Sequence, residues 1–134
     1  MKNFIACLLI LLLFSATGFA ENIVLDNETT YPLKHQKSKI AIQWAVTTKD
    51  MQEANKALIY GVQLDQNSIQ MISKTGELTL SVPKNAGHFR VLVWSKDTQN
   101  PDLLTNWVDV TPGKIYKLKK DQLVPTVLMS GAGC

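Results

Sequence analysis

The sequence predicts an all-β antiparallel sandwich with one short helix inserted between early strands, and three observations carry that expectation. Apolar residues recur at every second position in several short runs, turn-forming residues separate the runs, and only one segment has helical spacing. Size agrees. Taking a leader of residues 1–20 from the 134 leaves 114, enough for one domain to bury a core without metal or disulfide staples.

The leader has the three parts of an export signal. Lys2 gives a charged start, Phe4 to Phe14 is an unbroken apolar run of 11 residues, and Gly18-Phe19-Ala20 supplies small residues for cleavage. The run is shorter than the roughly 20 residues of a membrane helix. The expectation is therefore a signal peptide cleaved near Ala20, with a periplasmic or secreted mature chain over 21–129 and a flexible tail over 130–134. The short charged start suits a bacterial source; in a eukaryote Asn27-Glu28-Thr29 would be a glycosylation sequon. Cleavage would remove Cys7 and leave Cys134 as the lone cysteine, so no internal disulfide can form. In an oxidising compartment Cys134 is either a site for an intermolecular disulfide, including a linked dimer, or an incidental thiol on the tail.

Along the mature chain, Lys39 to Val46 places Ile40, Ile42, Trp44 and Val46 on one side of a strand. Thr48 to Ala57 is the helical segment, with Met51, Ala54, Ala57 and Leu58 at helical spacing and Thr47 or Thr48 as its cap. Leu58 to Leu64 reads as the next strand, with Leu58, Tyr60, Val62 and Leu64 on one face. Ser68 to Ser73 and Glu77 to Val82 read as a hairpin turned at Lys74-Thr75-Gly76, the second strand directing Leu78, Leu80 and Val82 inward.

The next hairpin pairs a strand bearing Phe89, Val91 and Val93 with one bearing Leu104, Val108 and Val110, across a loop from Lys96 to Asp102. The register that satisfies both faces sets Phe89 opposite Val110 and Val91 opposite Val108 inside. Outside, it sets Arg90 opposite Asp109, Leu92 opposite Trp107 and Trp94 opposite Thr105. Thr111-Pro112-Gly113-Lys114 then suits a type II turn, with Tyr116 at the spacing of a tyrosine corner. Over these nine residues, Val110 to Leu118, the chain resembles the corner of fibronectin type III and related immunoglobulin-like domains, which implies that type of sandwich and no particular activity. The disulfide of immunoglobulin domains is absent, because no cysteine lies in the body of the chain.

Charge and motif content exclude several functions. Of 14 basic residues Lys2 lies in the leader, and all 11 acidic residues lie beyond it, so the mature chain carries about +2. Its densest basic stretch, Lys114, Lys117, Lys119 and Lys120, runs straight into Asp121. That is not the basic face of a nucleic-acid binder. No nucleophile elbow, zinc-binding helix or phosphate-cradling loop is present. His35 and His88 read as surface histidines, Met51, Met71 and Met129 as core filler, Asp50/Glu53 as a helix start and Asp97/Asp102 as a loop. Neither catalytic residues nor a metal or cofactor site are expected.

The tryptophans remain. Trp44 shares its face with core residues, whereas the proposed register puts Leu92, Trp94 and Trp107 on the outer face beside Arg90 and Asp109. This face is either an open contact patch or covered by another segment, such as the Thr48 to Ala57 helix. The expectation is thus an exported non-enzymatic binding protein, an accessory or inhibitor subunit of a bacterial cell-envelope or surface assembly whose partner is an envelope protein. Its candidate contacts are Leu92, Trp94, Trp107, Arg90 and Asp109. The alternative is a carbohydrate-binding module that stacks sugars on the tryptophans and bonds hydroxyls through Thr105, Asn106 or Asp109.

Overall fold

A computed structural model describes residues 21–34 and 36–130. The expected leader over 1–20, His35 and residues 131–134 lie outside the described residues. Two sheets face each other across one core. The first has the order β4-β1-β8, formed by Gly76–Ser81, Asn22–Asn27 and Ile115–Leu118. The second has the order β3-β2-β5-β6-β9, from Ile69–Ile72, Lys39–Ala45, His88–Trp94, Leu103–Leu104 and Val124–Pro125; β7, Val108–Asp109, also pairs with β5. Among the described residues there are nine strands and one α-helix, α1 at Thr48–Ile59. The sandwich is not wholly antiparallel, since β8 runs parallel to β1.

Alternation builds the core as the pattern requires. Ile23 and Leu25 of β1, Ile40, Ile42 and Trp44 of β2, and Phe89, Val91 and Val93 of β5 all meet between the sheets. Each fully buried aliphatic or aromatic side chain contributes about 1.5–3 kcal/mol. Phe89 sits at the centre, its ring 5.8 Å from that of Trp44 and edge-on to Tyr116 at 4.9 Å. Asn27 is also sealed inside: its side chain accepts from the N–H and hydroxyl of Thr29 and donates to the Tyr31 and Lys74 carbonyls. The sequon asparagine is thus an internal brace.

Several expectations about local structure are corrected. The strand at Leu58 to Leu64 does not form, because α1 continues to Ile59 and Tyr60 and Val62 are exposed. Gly61 adopts φ +67°, with its N–H bonded to Leu58 O and that of Val62 bonded to Ala57 O. This is the Schellman pattern, in which a left-handed glycine closes a helix. At the other end Thr47 and Asp50 form a capping box, which ends β2 at Ala45 and leaves Val46 half exposed. The Thr47 and Val46 amides bonded to Asp50 hold its carboxyl below the ordinary carboxylate range.

The hairpin at residues 68–82 is likewise absent. β3 pairs with β2, placing Ile72 opposite Ile40, whereas β4 pairs with β1, so residues 73–75 cross between the sheets. Met71 faces outward and is half exposed instead of filling the core.

The register after His88 is shifted as well. Phe89 faces Val108, two residues from the expected Val110, and Leu92 faces Leu104, three from the expected Trp107. The extra residue is a bulge at Thr105-Asn106-Trp107. There the Val91 N–H donates to the Thr105 hydroxyl (2.9 Å), which replaces a ladder carbonyl. A bulge reverses the inward face, and Leu104 therefore joins the outer cluster, while Leu103, Val108 and Val110 pack against the core. Arg90 and Asp109 are not opposite each other; Asp109 instead faces His88, with Oδ1 2.9 Å from Nδ1.

The corner after β7 forms as the spacing predicts. Gly113 has φ +77°, Lys114 N–H donates to Thr111 O, and the Tyr116 hydroxyl donates to Asp109 O and accepts from Thr111 N–H, both at 2.7 Å.

Candidate functional site

The five contact residues expected from sequence do not meet on an open face. Leu92 and Trp94 are buried with Ala41, Leu64 and Leu104, under Ala57 and Leu58 of α1 and Met129. The Trp94 indole N–H is satisfied by Gln99 O. Trp107 is half-buried, and Asp109 lies apart, its side chain exposed.

What the structure brings together is Arg90 and Trp107, joined by two residues that sequence reasoning passed over. Arg90 is 1% exposed; its Nε donates to Gln43 Oε1 (2.7 Å), its Nη1 donates to Asn55 Oδ1 (2.6 Å), and its guanidinium lies 4.3 Å from the Trp107 ring centre. The Trp107 indole N–H donates to the same Asn55 oxygen. Among the described residues no carboxylate pairs with Arg90, and its Nη2 is buried without a partner. Burial pushes the guanidinium pKa down to about 10, so the group remains a cation near neutral pH. The available signal was Asn55 itself, a polar residue four positions after Met51 at the edge of the apolar stripe of α1.

The open surface lies elsewhere. The first sheet ends at β8, whereas the second continues past β5 into β6, β7 and β9. The inner side of those strands is therefore only partly covered, with Leu103 and Val108 half-buried. The result is a groove of about 500 Å³ between β8 and the bulge, with Leu25, Phe89 and Val91 deep inside and Val108, Tyr116 and Leu118 along its sides. Ile115 and Val124, both substantially exposed, flank it. Thr105, Asn106, Lys114, Lys117, Asp121 and Gln122 form its polar lining, with the Lys114 ammonium 5.0 Å from the Tyr116 ring centre.

The free edge of β8 borders this groove. Lys114 O and Leu118 O accept from Val24 and Glu28 N–H, so the even-numbered residues bond to β1. In a ladder the alternate groups point away, which leaves the N–H and C=O of Ile115 and Lys117 toward the groove side. A second hollow of about 450 Å³ beside α1 is lined by Asp50 and Asp65, but both carboxylates already cap local turns. Among the described residues no three His, Cys, Asp or Glu side chains converge as metal ligands. No protein-family model matches the chain, and no curated protein matches it.

Proposed function

We propose that this is an exported, non-enzymatic binding protein, an accessory or inhibitor subunit of a bacterial cell-envelope or surface assembly, that engages an envelope protein through the groove beside β8. One observation carries the reading: an apolar hollow opens directly beside a strand edge with unused backbone groups. Hydrophobic patches and free edges on a folded domain are hazards unless something uses them. At the opposite sheet β9 carries Pro125, which removes an edge N–H, whereas β8 has no proline and is guarded only by its short length and Lys117. The leader supplies the route to a periplasmic or secreted location, and the tyrosine corner supports an immunoglobulin-like scaffold.

The contact surface is thereby moved away from Leu92, Trp94 and Trp107. A sugar platform on those tryptophans is not retained, because Trp44 and Trp94 are buried and the Trp107 ring is occupied by Arg90.

The test is site-specific photo-cross-linking in intact cells, with the photoreactive residue at Ile115 or at Met71, an equally exposed apolar position on β3, which is also an edge. One defined envelope adduct is expected from position 115, lost when Val108→Asp is added, and none from position 71. Equal adducts from both positions, or none from 115, would contradict the proposal.

A further inference from the structure

We propose that the groove accepts a short extended segment of the partner as a fourth strand beside β8, with apolar side chains alternating with acidic ones. This rests on the groove being the binding surface. The first sheet has three strands and stops where the opposing sheet does not. One more strand, at the ordinary spacing of about 4.8 Å, would complete the cover over the half-buried inner side of β6 and β7.

The alternation follows from β8 itself. Tyr116 and Leu118 point into the sandwich, whereas Ile115 and Lys117 point out. In an added strand, inward positions would meet Phe89, Val91 and Val108 together with the polar Thr105, Asn106 and Lys114 that also line the groove, and outward positions would neighbour Ile115 and Lys117. Main-chain bonds to the free N–H and C=O groups of β8 would supply affinity, and alternate side chains the selectivity. Length is limited too. The connection from β8 to β9 passes between the sheets at the Leu118 end, with Asp121 and Gln122 lining the groove there. A segment of about four or five residues therefore spans the edge, at about 3.3 Å per residue.

Charge selects the outward residues. Lys117 points outward from β8 and Lys119 and Lys120 follow it, while Lys114 lies on the inner side over the Tyr116 ring; among the described residues that line the groove, Asp121 is the one carboxylate. Among the described residues none of these lysines has a carboxylate partner within 4.0 Å. Acidic side chains opposite them are favoured, as in any cross-strand pair of unlike charge. A second copy of this chain is a poorer occupant: in the antiparallel register that uses both free residues of each β8 edge, Ile115 would face Lys117 and Lys114 would face Leu118, bringing no acidic group to either lysine.

The experiment is a titration of the purified protein, followed by amide NMR, with end-blocked hexapeptides. One alternates leucine with glutamate, one alternates leucine with lysine, and one is the glutamate peptide N-methylated on the amides that would face β8. The glutamate peptide is expected to shift the Ile115 and Lys117 amides and to bind at least ten-fold more tightly than either other peptide. Lys117→Glu, at an exposed position, should narrow or invert the preference between the two charged peptides. Equal or tighter binding of the lysine peptide, indifference to N-methylation, or no shift at Ile115 and Lys117 would overturn the inference, as would shifts produced by raising the protein concentration alone. If the peptides fail while the adduct from position 115 persists in cells, only the strand inference falls. If that adduct is missing, the groove reading falls with it.

Discussion

The outer face under α1 and the open side beside β8 make an instructive pair. The first holds the residues that composition singles out as binders, two tryptophans and an arginine, yet Trp94 and Arg90 are buried and Trp107 is half-buried against the guanidinium. The second is made of ordinary aliphatic residues and lysines, yet it is open and borders unused backbone groups. Residue type therefore misdirects in both places. What separates the two regions is which element covers them: α1 lies across the first, and among the described residues no strand pairs with the outer edge of β8 across the second.

The sealed face also differs from the core in how it is held. Between the sheets the contacts are apolar apart from the neutral Asn27 brace, whereas under α1 a cation without a counter-ion among the described residues depends on Gln43, Asn55 and the face of Trp107. Asn55→Ala should accordingly be severely damaging. It strips Arg90 of a hydrogen bond and leaves the Trp107 indole unpaired, at a cost of about 3 kcal/mol in denaturant unfolding, with greater acrylamide quenching of tryptophan fluorescence. Arg90→Met sharpens the point, since it removes the desolvated charge together with its bonds. It should cost less than Asn55→Ala, and a larger cost would show that the cation is better satisfied than its contacts indicate.

Tyr116→Phe probes the open side. Its hydroxyl ties Asp109 O to Thr111 N–H, so its removal should cost about 1.5 kcal/mol while leaving the apolar groove wall in place. Gly61→Ala tests how α1 is closed and should cost about 1 kcal/mol, from left-handed backbone strain; its added Cβ would meet nothing closer than Asn100 Nδ2 at 3.8 Å. The smallest effect belongs to Ile115→Ser. This exposed edge position should change stability by less than about 0.5 kcal/mol. A loss comparable to that of Asn55→Ala would mean that β8 is packed and the groove closed.

The contrast also explains what the sequence disclosed. Period-2 runs marked β2, β4 and β5 and their core residues, and Pro112-Gly113 with Tyr116 marked the corner, because each of these signals is local. Leu58 to Leu64 was ambiguous because Leu58 fits a helix stripe and an alternating strand equally well; Gly61 as a left-handed helix stop was the deciding signal. The bulge at Thr105 to Trp107 left no comparable mark, since a threonine hydroxyl replacing a ladder carbonyl is fixed by its partner strand. The groove was less legible still. It arises from the unequal widths of two sheets, a property of pairing partners far apart in the chain, such as β1 with β8.

If the edge beside β8, and not the face under α1, is the working surface, thiol accessibility in intact cells will show it. Ile115→Cys and Glu53→Cys are each placed in a Cys134→Ser background, Glu53 being an exposed residue of the covering helix. Labelling at position 115 is expected to be at least ten-fold slower in the envelope than in the purified protein, while labelling at position 53 is the same in both. Equal labelling at 115 in the two settings, or protection at 53 instead, would contradict the proposed working surface.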